Sequence, residues 1–207
     1  MVRVVYEFGS LQLANRPEAS VRISGGTARG IELTVPRGDA VRPATDGMRQ
    51  AVFSSLGAFV VGARFLDLFA GSGGYGLEAV SRGAASGAFV EKNAKAAACL
   101  RRNVEAVCKS VGCPTAGLSV LQLDATSAPL TTGGVPDLVF IDPPYEMIAD
   151  IAPGLFARLA EALAPQPYAL VVFEMPGETE LAPPGWTCLK RLGKGARQPS
   201  VCFFRRT

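Results

Sequence analysis

The sequence contains no histidine, which removes the commonest general base near neutral pH and a frequent metal ligand. The five cysteines are odd in number, and no two of them form a C-x-x-C pair. That pattern predicts neither a disulfide framework nor a zinc site. We therefore predict no metal site, and any chemistry must use carboxylates, backbone groups or a cofactor.

A long apolar run is also missing. No stretch approaches the ~20 residues that span a bilayer, and the N-terminal sequence MVRVVYEFGS is interrupted by Arg3 and Glu7 where a signal peptide would stay apolar. These absences predict a soluble, cytoplasmic protein without a membrane partner. The 207 residues, 48% of them hydrophobic, suffice for one main domain with a small appendage.

Charge is unevenly distributed along the chain. Residues 1–63 contain 7 arginines and 5 acidic residues, residues 64–185 contain 8 basic and 13 acidic residues, and residues 186–207 contain 6 basic and no acidic residues. Basic ends around an acidic middle suit a polyanionic partner held by the two ends, although a solvated basic tail would give the same pattern.

Short apolar runs alternate with helical patterns in the middle of the chain. The predicted strands are RFLDLFA (64–70), SGAFVEK (86–92), LSVLQLD (118–124), DLVFID (137–142) and YALVVFEM (168–175). The predicted helices are GLEAVSRGA (76–84), NAKAAACLRRNVEAVCKSV (93–111), with Asn93 as its N-cap, and IADIAPGLFARLAEALA (148–164). This alternation predicts an α/β protein with a doubly wound, mostly parallel sheet. WTCLKRL (186–192) and SVCFFRR (200–206) would add an antiparallel hairpin at one edge.

A glycine loop follows the first of these strands. Ligands of such sheets bind beyond the carboxyl ends of the strands, and Gly71, Gly73 and Gly76 have the G-x-G-x-x-G spacing of nucleotide-binding loops. The glycines alone would fit a nicotinamide dinucleotide. Asp67, just before the loop, would repel the negative charge of a pyrophosphate. It therefore favours a cationic ligand.

Two further acids follow the next two strands. S-adenosylmethionine carries an ammonium and a sulfonium group and no phosphate. Glu91 would then bind its ribose, and Asp124 would lie near its adenine, although Asp124 could instead be only a helix cap. Three acids at three successive strand ends predict S-adenosylmethionine as the cofactor.

The sequence Asp142-Pro143-Pro144-Tyr145 follows the fourth strand, next to the same cleft. An exocyclic amine of a nucleobase is a poor nucleophile, because its lone pair is delocalised into the ring. Hydrogen bonds accepted by the Asp142 carboxylate and the Pro143 carbonyl would aim that lone pair at a methyl group. Tyr145 would stack on the base, and the prolines would fix the geometry.

The segments DLFAGSGGYGLEAVSRGA, FVEKN, FIDPPY, RISGGTARGIELTVP and RPATDGMRQAVFSSL resemble the RsmD-type 16S ribosomal RNA guanine-N2 methyltransferases of bacteria, over roughly Val21 to the C-terminus. The resemblance implies a seven-stranded sheet of the class I S-adenosylmethionine-dependent methyltransferase type with a small N-terminal β-rich extension. It also implies 16S rRNA, or the assembling small ribosomal subunit, as the partner. The implied organisation is an RNA-binding extension with a linking helix (21–63) and a methyltransferase domain (64–207). Residues 1–20 match neither pattern and are predicted to be a poorly defined or non-native arm. The sequence leaves the oligomeric state open, with a monomer favoured.

The resemblance also assigns roles to individual residues. Those implied to be catalytic are Asp142, Pro143, Pro144 and Tyr145. Those implied to bind the cofactor are Asp67, Phe69, Gly71, Ser72, Gly73, Gly76, Glu91, Lys92, Asp124, Ala125, Thr45 and Arg49. Those expected to bind RNA, from the resemblance and the charge distribution, are Arg22, Arg29, Arg42, Lys190, Arg191, Lys194 and Arg197.

Several alternatives remain open at the level of the sequence. DNA adenine-N6 and cytosine-N4 methyltransferases share the Asp-Pro-Pro-Tyr chemistry but usually carry a larger target-recognition insertion. Glutamine methyltransferases usually have Asn in place of Asp142, and cytosine-C5 enzymes need a Pro-Cys step, which this sequence lacks. A non-catalytic RNA-binding protein of the same fold would use these acids only for stability. Arg42 and Arg49 could be surface charges and Tyr145 a packing residue, and Glu174 is interpreted as structural.

Overall fold

The structure, a computed structural model, describes residues 21–36, 46–193, 195 and 198–207. Four of the predicted functional residues, Arg42, Thr45, Lys194 and Arg197, lie outside the described residues, as does the predicted N-terminal arm.

The described strands form one small and one large sheet. The small sheet pairs β1 (Val21–Arg22) with β2 (Glu32–Leu33) in antiparallel fashion. The strands of the large sheet are β3 (Arg64–Leu68), β4 (Ser86–Val90), β5 (Leu118–Leu121), β6 (Leu138–Ile141), β7 (Leu170–Pro176), β8 (Trp186–Leu192) and β9 (Pro199–Arg206). Their order is β5-β4-β3-β6-β7-β9-β8. The first five strands in this order are mutually parallel, and β9 is antiparallel to both of its neighbours. The predicted doubly wound, mostly parallel α/β sheet of seven strands, with a small N-terminal β-rich extension, is confirmed.

Four α-helices lie in the part of the chain that the structure describes. They are α1 (Asp46–Leu56), α2 (Gly74–Ser81), α3 (Ala94–Val111) and α4 (Ile148–Ala162). The predicted N-cap of α3 is confirmed, because the Asn93 side chain accepts hydrogen bonds from the backbone N–H groups of Lys95 and Ala96. The helix ends at Gly112, which adopts a left-handed φ of 76°. Among the helices of the described ranges, none is long and apolar enough to cross a membrane.

Apolar side chains cover both faces of the sheet. Residues of α1, α2 and α3 pack with Phe65, Phe89 and Phe140 on one face, and residues of α4 pack with Leu66 and Val139 on the other. Strands buried on both faces must be apolar at nearly every position, which explains why β6 reads LVFI and is buried throughout.

Buried polar side chains attach the N-terminal segment, residues 21–36, to the helices. Glu78 on α2 accepts hydrogen bonds from the backbone and hydroxyl of Ser24, at 2.7 and 2.9 Å. The amide of Asn103 on α3 exchanges hydrogen bonds with the backbone of Thr34 and also donates to the Ser72 carbonyl at 2.9 Å. One side chain therefore contacts both the N-terminal segment and the glycine loop.

The parallel strands end together at one edge of the sheet. From β3 the chain adds β4 and β5 on one side and then β6 and β7 on the other, so the order of strand addition reverses between β3 and β6. In doubly wound sheets ligands bind in the crevice outside such a switch point. The predicted site acids Asp67, Glu91, Asp124 and Asp142 lie at this edge.

Candidate active site

A cavity of about 1440 Å³ opens at the carboxyl ends of the parallel strands. Most of the predicted cofactor-binding and catalytic residues line it. They are Arg49, Asp67, Phe69, Gly71, Ser72, Glu91, Lys92, Asp124, Ala125, Asp142, Pro143, Pro144 and Tyr145. The residues predicted on four different strand ends therefore meet in a single cavity.

The loop between β3 and α2 has a tight and partly strained backbone. Phe69 is a non-glycine residue at a φ of 60°, and Gly71 and Gly73 have φ values of 54° and 92°. The backbone N–H of Gly73 donates to the Ala70 carbonyl at 2.7 Å, which closes the turn. Strained backbone of this kind occurs preferentially at ligand-binding sites.

Two of the predicted cofactor-binding glycines serve packing and do not line the cavity. A Cβ on Gly73 would lie 2.5 Å from Leu100, and a Cβ on Gly76 would lie 2.3 Å from Phe89 and 2.7 Å from Phe65. Within the glycine loop, Gly71 lines the cavity, whereas Gly76 lets α2 approach the sheet and Gly73 leaves room for Leu100 of α3.

Asp67 lies beneath the first turn of α2. It is 2% exposed, and its Oδ2 accepts a hydrogen bond from the Gly76 backbone N–H at 2.8 Å. Burial raises the pKa of this carboxyl to about 7, although the Gly76 hydrogen bond opposes the change and the neighbouring Glu91 adds to it. The group can therefore change its charge near neutral pH.

Glu91 and Asp124 are fixed by local hydrogen bonds. The Glu91 carboxylate accepts from the backbone N–H groups of Gly71, at 2.7 Å, and Asn93, at 2.6 Å. Asp124 accepts from Lys92 at 2.7 Å and caps the turn that follows through Thr126. Hydrogen bonds from these two side chains lower the pKa of Asp124. Asp124 thus caps a turn, as one interpretation of the sequence had it, and also lines the cavity.

Asp142 directly follows β6 and faces the same side of the sheet as Asp67. Desolvation, together with the charges of Glu174 and Asp67, raises the pKa of Asp142 well above its usual range, and Arg49 opposes that effect. Tyr145 lies in the short helical turn Tyr145–Met147 after the two prolines. The acid and the ring therefore face the cavity together.

Glu174 is the functional candidate that the sequence interpretation missed. Its Oε2 accepts a hydrogen bond from the Tyr75 hydroxyl at 2.8 Å, and the Tyr145 side chain also bonds to it. The residue lines the cavity and is 4% exposed. The available signal was a carboxylate within the apolar run LVVFEMP, on the strand next to the one that ends at Asp142.

Arg49 is buried, and the interpretation of it as a surface charge is wrong. It is 1% exposed, and its guanidinium donates to Asp46 and to the Arg22 carbonyl, both at 2.6 Å. It also lies 3.8 Å from Glu78. Because it lines the cavity, Arg49 places a positive charge among its carboxylates.

The described residues predicted to bind RNA differ in their freedom to do so. Arg29 is exposed, and the side chain of Arg22 is 63% exposed while it pairs with Asp46. Lys190 is exposed and donates to Ser55. Arg191, by contrast, donates to Ser200, Gly177 and Thr179, and so ties β8 to the chain that follows β7.

Fold and cavity together define a protein of the class I methyltransferase type. A solved structure described as the putative methyltransferase yhhF from Escherichia coli matches with a TM-score of 0.70 and 27% identity, over 90% of this chain and 98% of that one. Residues 21–203 match the family described as Conserved hypothetical protein 95, and the chain belongs to that family.

Curated relatives specify the family further. Ribosomal RNA small subunit methyltransferase D from Escherichia coli K12 is 36% identical over 125 residues, which span 60% of this chain and 60% of the relative. The protein of the same name from Haemophilus influenzae is 32% identical over 180 residues, 86% of this chain and 91% of the relative. The predicted RsmD-type identity is confirmed.

Proposed function

We propose that the protein transfers a methyl group from S-adenosylmethionine to the exocyclic N2 amine of a guanine in small-subunit (16S) ribosomal RNA. The observation that carries the proposal is the position of Asp142 and Tyr145, which line one cavity together with Asp67, Glu91 and Asp124. An acceptor for an amine and a set of acids for a cationic cofactor thus share one space.

The residues of the cavity fit S-adenosylmethionine by their chemistry. When bound, this cofactor supplies an electrophilic methyl group on a sulfonium. Asp67 would face its positive charge, Glu91 would accept hydrogen bonds from its ribose hydroxyls, and Asp124 with Ala125 would contact its adenine. Gly71, at a φ of 54° and without a side chain, leaves room for close approach.

Asp142 and Pro143 act on the amine nitrogen. In its ionised form Asp142 accepts one N–H of the amine, and the Pro143 carbonyl accepts the other. These bonds turn the lone pair away from the aromatic ring and toward the methyl group, and they strengthen as positive charge develops on the nitrogen. The base must be unpaired to enter the cavity, and Tyr145 stacks on its face.

The substrate assignment rests on the relatives and on charge. The chain spans 60% of the length of the Escherichia coli relative, whose name specifies small-subunit ribosomal RNA. Arg22, Arg29 and Lys190 are exposed on the described surface and suit phosphate contacts. Ribosomal RNA as the substrate would also support a cytoplasmic location.

Asp142→Ala tests the proposal in vitro. We expect the variant to bind S-adenosylmethionine normally and to lose most methyl transfer to small-subunit RNA, because Asp142 acts on the amine and does not hold the cofactor. Calorimetry measures binding, and mass spectrometry of nucleosides measures N2-methylguanosine. The exposed Asp150 on α4 gives the matched control, Asp150→Ala.

Three outcomes would contradict the proposal. Near wild-type turnover by Asp142→Ala would exclude the amine mechanism. A wild-type protein that fails to bind S-adenosylmethionine would favour a non-catalytic RNA-binding role. Mass mapping of rRNA from a deletion strain that lost no N2-methylguanosine would exclude the proposed substrate.

A further inference from the structure

Glu174 occupies a buried position, where a charged carboxylate is energetically unfavourable. It lies within β7 between Phe173 and Met175, both 0% exposed, and is itself 4% exposed. Its pKa is raised, chiefly by burial. A carboxyl group whose charged form is disfavoured by burial contributes little to the stability of the fold. A purely structural role therefore explains Glu174 poorly.

The register of the sheet puts Glu174 beside Asp142. Ile141 of β6 pairs with Phe173 of β7, and the two acids are the next residues on these parallel strands. Side chains alternate between faces along a strand, so both acids share the face of Phe140. The two carboxyl groups therefore lie close enough to interact electrostatically, and the charge of Glu174 raises the pKa of Asp142.

Two tyrosines hold the Glu174 carboxylate. Tyr75 on α2 donates at 2.8 Å, and its ring stacks on Phe140 with centroids 5.4 Å apart and planes inclined by 15°. Burial, followed by the charges of Glu174 and Asp142, raises the pKa of Tyr75, which keeps its hydroxyl protonated as a donor. The Tyr145 side chain supplies a second hydrogen bond.

We propose that Glu174 is a positioning residue for methyl transfer, which anchors the hydroxyl of Tyr145 so that its ring faces the target base, and which is itself anchored by Tyr75. The inference rests on the proposed function, in which Tyr145 stacks on the base. Glu174 thereby connects Tyr145, whose ring stacks on the base, with Asp142, which accepts a hydrogen bond from the amine of the base. A stacking ring that turns about its side-chain bonds would let the amine drift from the methyl group, and misplacement of about 1 Å can cost on the order of 100-fold in rate.

The charge of Glu174 has a second effect on the same site. Within the described ranges, the titratable and charged groups that interact with Asp142 are Asp67 on β3, Arg49 on α1, Tyr75 on α2 and Glu174 on β7. Because the negative charge of Glu174 raises the pKa of Asp142, its removal must lower that pKa. The ionised, hydrogen-bond-accepting form of Asp142 would then persist to lower pH.

Glu174→Gln provides the first test, with the exposed Glu105 on α3 changed to Gln as the matched control. At saturating S-adenosylmethionine we expect kcat to fall by roughly 10- to 100-fold, with little change in cofactor affinity by calorimetry. The acidic limb of the pH profile of kcat should move to lower pH. A residue that only stabilised the fold would lower the yield of active protein and leave that limb in place.

A double-mutant cycle tests whether Glu174 acts through Tyr145. Tyr145→Phe keeps the ring and removes the hydroxyl, so it should reproduce part of the loss in kcat. The cycle pairs Tyr145→Phe with Glu174→Leu, because Glu174→Gln keeps an acceptor oxygen. The combined variant should lose less than the product of the two single losses, since each substitution removes the same hydrogen bond. Tyr75→Phe should give a smaller loss in the same direction, and it replaces Glu174→Gln as the test if that variant does not fold.

A readout without catalysis separates this inference from the proposed function. NMR titration of carbon-13-labelled Asp142 should show a lower pKa in Glu174→Gln than in the wild type. An unchanged Asp142 titration, or wild-type kcat in both Glu174→Gln and Tyr145→Phe, would overturn the inference. Failure of the wild type to methylate guanine in small-subunit RNA would overturn the proposed function, while the NMR result would still decide whether Glu174 sets the charge of Asp142.

Discussion

Asp67 is a carboxyl group that the folded chain keeps away from water. Its pKa of about 7 lies above the usual 3.8, so between those values the folded state holds this proton more tightly than the unfolded chain does. The free energy of unfolding should therefore fall as the pH rises through that window. A cationic ligand would reverse the preference, because it stabilises the ionised form.

Binding of S-adenosylmethionine should accordingly depend on pH. Below pH 7 the affinity should decrease by up to about tenfold per unit, because Asp67 must lose its proton to face the cation. Asp67→Asn should abolish this dependence and weaken binding at pH 8 by roughly 1 to 3 kcal/mol. Calorimetry between pH 5.5 and about 8 measures both effects, with Asp150→Asn as the control.

An Asp67→Asn variant that kept the full pH dependence would show that another group controls it. The ligand-free protein offers a second check, since the same substitution should flatten the decline of unfolding free energy between about pH 4 and 7.

At the scale of the secondary-structure elements, α2 approaches the sheet more closely than a side chain would permit. Gly76 faces the rings of Phe65 and Phe89, which pack edge to face with centroids 5.1 Å apart. The approach also brings the Gly76 N–H within 2.8 Å of Asp67. Packing and site geometry thus depend on one missing Cβ.

Gly76→Ala should destabilise the protein by roughly 1 to 3 kcal/mol, because the added methyl group overlaps both rings. Gly154 on α4 gives a control of opposite sign. A Cβ there meets nothing within 4 Å, so Gly154→Ala should stabilise the protein by up to about 1 kcal/mol through helix propensity. Denaturant unfolding measures both, and equal effects of the two substitutions would refute the packing role of Gly76.

Local patterns predicted most of these elements. The apolar runs at 186–192 and 200–206 became β8 and β9 almost unchanged, and Asn93 caps α3 as its side chain and position predict. Strand ends also indicated the acids of the cavity. These signals are local, since periodicity and capping depend on neighbours in the chain.

Long-range partners could not be predicted in the same way. Glu174 accepts a hydrogen bond from Tyr75, which is 99 residues away in the sequence. Arg191 donates to backbone carbonyls of Gly177 and Thr179, which no local sequence pattern predicts. Arg49 shows the same limit, because its burial depends on the segment that carries Arg22. Single charges in a sequence do not disclose whether the fold will bury them.

At the scale of the whole molecule, the proposed RNA substrate would approach a cavity lined by several acidic residues. Residues 64–185 carry 5 more acidic than basic residues, so we expect the phosphate contacts to come from the basic segments on either side of them. Arg29 and Arg22 lie on the described N-terminal segment, and Lys190 lies on β8. Binding should weaken steeply with salt, as condensed counterions are released on association.

Neutralising Arg22 and Arg29 together should weaken RNA binding while leaving the affinity for S-adenosylmethionine unchanged. Each lost phosphate contact should reduce the slope of log affinity against log salt by roughly 0.7 to 0.9. Filter binding over a salt series measures the slope, with the exposed Arg101 on α3 changed to Ala as the control. Unchanged affinity and slope would transfer the phosphate contacts to the basic hairpin.

Asn103 limits how this protein can be re-engineered. Its buried amide serves the backbone of Thr34 on one side and the Ser72 carbonyl on the other. A chimaera could replace residues 21–36, the segment proposed to contact RNA, with a foreign module. The Asn103 amide would then lose the backbone partners that Thr34 provides. Retargeting should therefore begin from substitutions on the outer surface of this segment, with its backbone retained.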